Sequence, residues 1–269
     1  LRDQMINATN LRLSNLKINT SEKSVTFENF SFDTKSIQLP IADGFYTLKA
    51  NEIQVNQQDS FISINKIHLD PRYPKMEFAY KHPTHKDWFD VNSDNVTLSG
   101  IDFLGYFKDN TVKARNARIE NTVLRNFKNQ QIEIEHNIMP FIYEGLQKAP
   151  VKIDIDVVDI KNFNVDYQEL AKKGTYPGKI PFRNMNGKVR GLTNIASRPN
   201  QYIWLSANGI FLDNAPFEAT WMMPVSPEND KFFLDGHIHT FDLKELNQII
   251  VPLASAEVKS GIAKDVTFR

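Results

Sequence analysis

An eight-residue string, hphpphph, with h apolar or small and p any other residue, recurs along this chain and dictates a β-rich fold. It occurs at Leu11 to Ile18, Val25 to Phe32, Leu48 to Val55, Ile62 to Leu69, Val96 to Phe103, Val112 to Ile119, Val158 to Val165 and, with Phe211 in a polar slot, Leu205 to Leu212. A degraded copy spans Gly261 to Phe268. Each hph half is the period-2 signature of a strand with one buried face. The central pp breaks the count, because an uninterrupted strand would put the second apolar pair on the face opposite the first. A one-residue bulge at the pp step returns both pairs to one face. Asn, Gly or Asp at that step (Asn15, Asn29, Gly100, Asn116, Asn162, Gly209, Asp265) tolerates the backbone that a bulge requires. The paired starts at 11 and 25, 48 and 62, and 96 and 112 suit an antiparallel meander of one repeated unit. The expected fold is mostly β: a curved or rolled antiparallel sheet of repeated bulged strands with two or three short capping helices.

Two segments leave the strand period. Ile138, Phe141, Ile142 and Leu146 follow helical spacing behind Asn137 as a cap, with Pro140 early in the element, which predicts a helix over 137–148. Asp242-Leu-Lys-Glu245 reads as a capping box, with Leu243, Leu246, Asn247 and Ile250 along a stripe and Pro252 closing a second helix over 242–251. The first helix marks the expected division into a strand-repeat region, 1–135, and a second β region, 136–269, in which Val151 to Val157 begins a fresh alternating strand.

Composition removes whole classes of function. Lys plus Arg equals Asp plus Glu at 32 each, so no long-range field gathers nucleic acid. Cys is absent, which excludes disulfides and thiolate chemistry. No apolar run approaches the ~20 residues of a membrane-spanning helix, and Leu1 to Asn10 carries no signal-peptide core. The opening without Met and the strand-like end at Val266 to Arg269 read as a piece of a longer chain whose targeting segment lies elsewhere. No phosphate-binding loop, dinucleotide fingerprint, nucleophile elbow or HExxH string occurs, so neither an enzyme nor a cofactor is expected.

The second half carries an ordered set of features. The strand Pro150 to Glu169 is followed by a Gly/Pro loop, then Gly178 to Gly191 and Thr193-Asn194. Strands at Leu205 to Leu212 and Phe217 to Met222, the polar loop Ser226 to Asp230, Phe233 to His239, Asp242-Leu-Lys-Glu-Leu-Asn247 and Val258 to Ile262 complete it. This order resembles the AsmA-like superfamily, including its large DUF748-type members of Gram-negative bacteria, over residues 136–269. The resemblance implies a periplasmic, inner-membrane-anchored protein whose long curved β-sheet presents an apolar groove, with the anchor in a segment absent from this chain. It implies phospholipid movement between membranes and outer-membrane assembly, and it carries no catalytic residues to transfer.

The residues themselves point the same way. With a bulge at each pp step, Ile62, Ile64, Ile67, Leu69, Val96, Leu98, Ile101 and Phe103 lie side by side as an apolar floor, the candidate site for phospholipid acyl chains. A covered floor would instead be ordinary core. The competing function is an extracellular or periplasmic module binding polysaccharide or protein through Trp88, Trp204, Trp221, Tyr202 and Phe211, although strand aromatics are usually packing. His237 and His239, two apart on one strand face, offer zinc or copper ligands but lack a third partner in sequence, so a solvated face is the simpler reading and no metal is expected. His82 and His85 read as an incidental loop pair. Asp154, Asp156 and Asp159 offer paired carboxylates for glycoside hydrolysis, yet a solvent-facing strand needs such residues anyway.

Overall fold

A computed structural model describes residues 5–21, 24–81, 86–132, 142–147, 149, 151–197, 201–226 and 231–269. The strands are β1 (Met5–Ser14), β2 (Lys17–Asn19), β3 (Ser24–Thr26), β4 (Asn29–Ile41), β5 (Tyr46–Asn56), β6 (Phe61–Pro71), β7 (Trp88–Ser99) and β8 (Thr111–Asn129). They continue with β9 (Lys152–Leu170), β10 (Gly178–Thr193), β11 (Tyr202–Phe211), β12 (Ala215–Pro224), β13 (Phe233–Ile238), β14 (Phe241–Asp242), β15 (Ile262–Ala263) and β16 (Val266–Phe268). Among the described residues four short α-helices accompany them: α1 (Lys75–Lys81), α2 (Phe103–Asp109), α3 (Ile142–Gln147) and α4 (Asn247–Ala254).

Twelve strands form one open curved sheet in the order β1-β4-β5-β6-β7-β8-β9-β10-β11-β12-β13-β16. The order is linear, with β1 and β16 at the edges, so the sheet does not close into a barrel. Every neighbouring pair is antiparallel except β8–β9, which run parallel over their whole length. A parallel pair needs a crossover, and residues 130–151, which include α3, supply it. The regions 1–135 and 136–269 meet at this pair, inside the same sheet.

The pleat is inverted within the strands, though not as isolated bulges. The inversion falls on a pp step of the repeat at Glu52, Asn65, Arg115 and Asn162, while the other interrupted positions lie outside the pp steps and Gly209 pairs regularly with Phe217, with no bulge. Across β1, β4, β5, β6 and β7 the ladder keeps one register and skips a single pair at each junction: Ala8/Lys35, Lys35/Glu52, Glu52/Asn65 and Asn65/Asn95. A one-pair slip at Asp94/Glu120 carries the line onto β8, and the skipped pair Asn121/Asn162 carries it onto β9. Register shifts around Asn184 continue it onto β10. Glu52, Asn95, Asn121, Asn162 and Asn184 have φ of 50 to 52°, the left-handed region that Asn accepts more readily than other side chains. A shorter second line joins Arg115, Asp156 and Gly191, the last with φ 65°. These lines are creases: neighbouring strands take up the extra residue at the same level, so register survives while every strand changes pleat phase.

Four sequence expectations need correction. The copy Val96 to Phe103 does not run as one strand: β7 stops at Ser99, Gly100 turns with φ 67°, and Asp102 caps α2 by accepting from the Gly105 amide at 2.9 Å. Copies Leu11 to Ile18 and Val25 to Phe32 are split between β1 and β2 and between β3 and β4 at Asn15 and Glu28. The helix expected over 242–251 begins as a 3-10 turn, Leu243–Leu246, with the Asp242 carboxylate accepting from the Lys244 amide, and then runs through Pro252 to Ala254. Its end is set by Ser255 in the left-handed region, whose amide bonds the Val251 carbonyl, not by the proline. Helix α1 has no counterpart in the sequence reading. The Asn137 cap and Pro140 lie outside the described residues.

Candidate functional site

The creases decide which residues share a face, and the regular strands β11 and β12 fix the answer. Ile203 and Leu205 of β11 and Trp221 and Met223 of β12 pack in one apolar cluster with Val158 and Val189. Farther along the same uninterrupted strands, Phe211 and Ala215 pack in a second cluster with Ile180 and Ile238. Phe211 and Phe217 also stack on Phe182 at ring distances of 5.4 and 5.7 Å. Strand β10 therefore presents Phe182 and Val189, of opposite parity, to one face, with the crease at Asn184 between them. Bridged partners share a face, so the assignment passes strand to strand. Phe182 fixes Val165, which fixes Leu124, Val91 and Leu69, while Val189 fixes Val158, Ala117, Leu98 and Ile62. One face of the sheet is apolar from β4 to β13.

Six of the eight predicted floor residues sit together on this face. Ile62, Ile64, Ile67 and Leu69 of β6 alternate across the crease, and Ile62 faces Leu98 while Ile64 faces Val96 on β7. All six are half-buried. Ile101 and Phe103 are not floor: they are buried core at the end of β7, where Phe103 of α2 meets Phe30 of β4 edge-on at 5.3 Å. Leu146 of α3 and the fully buried Val225 join the same cluster. At the other end of the strands α1 buries Phe78 beside Phe45 and Tyr46, and α4 lies on β10 with Ile249 against Gly178. The helices thus cap the two ends of the face and leave its middle without a second layer among the described residues.

The total surface is large for the mass of the chain. A folded 31.0 kDa monomer is expected to expose about 12,000 Å². This chain exposes 17003 Å².

The opposite face carries the charge. Lys49 pairs with Asp70, His68 and Arg125 with Asp90 (3.0 and 3.2 Å), Lys188 with Asp159 (3.0 Å), and Arg183 with Asp166 (2.6 Å). Asparagines mark the crease: the Asn162 side chain donates to Asn121 at 2.8 Å, and the backbone amides of Asn162 and Asn184 donate to the side chains of Asn186 and Asn164. A polar trench of about 630 Å³ crosses β9 to β13 on this side. Its lining residues come in triplets centred on Ile160, Gly187, Ala207, Ala219 and Gly236. Flanking residues such as Asp159, Lys188, Asn208 and Glu218 therefore form its walls, while the apolar rows two residues away, including Leu205 and Trp221, do not. The trench and the apolar face lie back to back.

The other sequence candidates separate. Trp204 and Trp221 occupy opposite faces, since Trp204 pairs with Met222 and Trp221 with Leu205. Trp88 is occupied in donating its indole N–H to the Tyr73 carbonyl at 3.1 Å, and Phe211 is packed, so no aromatic platform joins the five residues. Asp154 and Asp159 face Lys113 at 3.6 Å and Lys188 at 3.0 Å, whereas Asp156 lies on the second crease. They act as separate ion pairs with neighbouring lysines. His237 and His239 share the outer face at the end of β13. His82 and His85 lie outside the described residues. No helix among the described residues is long and apolar enough to cross a membrane.

Comparison with known proteins finds no matching family model, no matching curated protein and no matching solved structure.

Proposed function

We propose that this chain holds phospholipid acyl chains along the apolar face of its sheet, as a non-enzymatic segment of a lipid-handling protein of the cell envelope. The observation that carries the reading is the continuous apolar face, capped by helices at its ends and, among the described residues, without a second layer over its middle, around the half-buried Ile64, Ile67 and Val96. Twelve strands at about 4.8 Å spacing span about 53 Å, several times the ~15 Å of one leaflet of hydrocarbon. Acyl chains covering the face would remove apolar surface from water at roughly 25 cal/mol per Å². Head groups would remain at the rim. The likeness of residues 136–269 to AsmA-like proteins supports a periplasmic setting, with attachment to the inner membrane through a segment outside this chain.

Native mass spectrometry of the purified protein tests the reading, and phospholipid is expected to travel with it. Ile64→Lys combined with Ile67→Lys is expected to abolish both the co-purifying lipid and uptake of a fluorescent phospholipid. Ser63→Lys, on the opposite face, should leave both intact. A lipid-free wild type that ignores the fluorescent lipid would overturn the proposal.

A further inference from the structure

We infer that Glu218, His237 and His239 form a binding site for a divalent transition metal, zinc by ligand chemistry, on the outer face of the β12–β13 pair. Strand geometry assembles the set. His237 and His239 are two apart, so both rings project from one face, with centroids 4.3 Å apart. Glu218 supplies the third ligand, which the sequence did not place, because the β12–β13 register sets it directly opposite His237. One ligand atom from each residue lies within 4.8 Å of the others. A tetrahedral zinc with bonds of about 2.0–2.1 Å needs donor atoms about 3.3 Å apart. The His237 Nδ1 to Glu218 Oε1 separation is already 3.8 Å, and both Glu218 and His239 are exposed.

A second observation sets this apart from a chance cluster. The other ring nitrogen of His237, Nε2, lies 2.9 Å from Asp265 Oδ1. With Nε2–H donating to that carboxylate, Nδ1 keeps its lone pair toward Glu218 and His239. A carboxylate behind a liganding imidazole is the usual outer-shell partner of a zinc histidine, where it fixes tautomer and ring orientation. Two imidazoles and a carboxylate suit zinc and leave a fourth position for water. Glu218 and His237 also line the polar trench, which gives the metal access from solvent. Asp265 immediately precedes β16, so metal binding would tie this terminal strand to β12 and β13 through His237.

The test is isothermal titration of zinc chloride into the untagged, metal-stripped protein, with folding of each variant checked by circular dichroism. Wild type is expected to bind one zinc per chain and to ignore magnesium. His239→Ala and Glu218→Gln should each weaken binding tenfold or more, whereas His68→Ala, at a histidine already held by Asp90, should leave it unchanged. Asp265→Asn acts through His237 and should weaken zinc about tenfold. Cobalt provides a readout independent of affinity: wild type should show the intense visible absorption of a tetrahedral centre, lost in His239→Ala. Absence of zinc binding, or binding that His239→Ala and Glu218→Gln leave intact, overturns the site.

Discussion

The crease makes a prediction whose sign runs against ordinary strand chemistry. At a regular strand position Ala is more stabilising than Gly by about 0.5–1 kcal/mol, because Gly loses more backbone freedom on folding. Asn162 is not regular. Its φ is 51°, where a Cβ costs about 1–2 kcal/mol that Gly does not incur. Asn162→Ala and Asn162→Gly lose the same side-chain bonds, the donation to Asn121 at 2.8 Å and the acceptance from Asn164 at 3.2 Å, so those losses cancel between the two variants. Subtracting the Gly penalty from the strain leaves Gly more stable than Ala by about 0.5–1 kcal/mol. With an m-value of about 2–3 kcal/mol/M, urea denaturation should place the Gly midpoint about 0.3 M above the Ala midpoint. Ser206, exposed on the uninterrupted strand β11, serves as the control, and there Ala should exceed Gly. If Ala exceeds Gly at 162 as well, residue 162 is ordinary strand and the crease argument fails.

Trp221 is half-buried on the apolar face, and its buried indole N–H has no hydrogen-bond partner among the described residues. Trp221→Phe keeps the ring and deletes the orphan donor, so chemical denaturation should register a gain of about 1 kcal/mol or no change, never the loss of several kcal/mol expected of a truncated core aromatic. The buried hydroxyls of Ser93 and Thr122 bond at 2.8 Å, and Thr122→Val should lower the unfolding free energy by about 1 kcal/mol at constant m-value. Burial and the neighbouring Glu169 carboxylate raise the Tyr167 phenol well above its usual range. A folded value above the unfolded value of about 10 means that the native state keeps its proton longer, so this stabilisation is complete below pH 10 and declines as pH rises beyond it. Tyr167→Phe should flatten that decline in denaturation series from pH 9 to 11.5. The Phe268 ring occupies the space where a Gly236 side chain would stand, so Gly236→Val should release β16, read as faster hydrogen exchange at 266–268.

Much of this fold is legible in the binary pattern because burial enforces it. Copies Leu48 to Val55 and Ile62 to Leu69 lie opposite one another in β5 and β6, with Ile53 facing Ile64 and Ala50 facing Ile67. The pp step located the interruption in β5, β6, β8 and β9, at Glu52, Asn65, Arg115 and Asn162, yet its physical form was hidden. A single sequence cannot reveal that Lys35, Glu52, Asn65 and Asn95 fall at one level, since that depends on strand pairing. Parallel pairing of β8 and β9 was hidden for the same reason: alternation gives a strand two faces but no direction relative to its neighbour. Helices α1 and α2 escaped because seven residues are too few to establish a 3.6-residue period. The signal for α2 was local, in Gly100 followed by Asp102 as cap. At the histidine pair sequence supplied two ligands, and the third came only from register.

The creases link the backbone to the proposed lipid surface. A strand of 19 residues such as β9 could keep one apolar face by plain alternation, with no interruption and no strained residue. Instead, five strands each hold a non-glycine residue at positive φ along the main crease. That conformation opposes folding, so its persistence at one level calls for a structural return. Bulge-like steps bend a strand and raise its twist, and when neighbours bend at the same level the sheet folds along a line. The phase change then keeps apolar side chains on one side of the bend, as the passage from Val189 to Phe182 across Asn184 demonstrates. A one-layer sheet can in this way become a trough without a second layer to shape it. Acyl chains are the ligand whose chemistry matches such a surface, because they ask for apolar area and no directional partners. The ion pairs, the trench and the histidines lie on the other face.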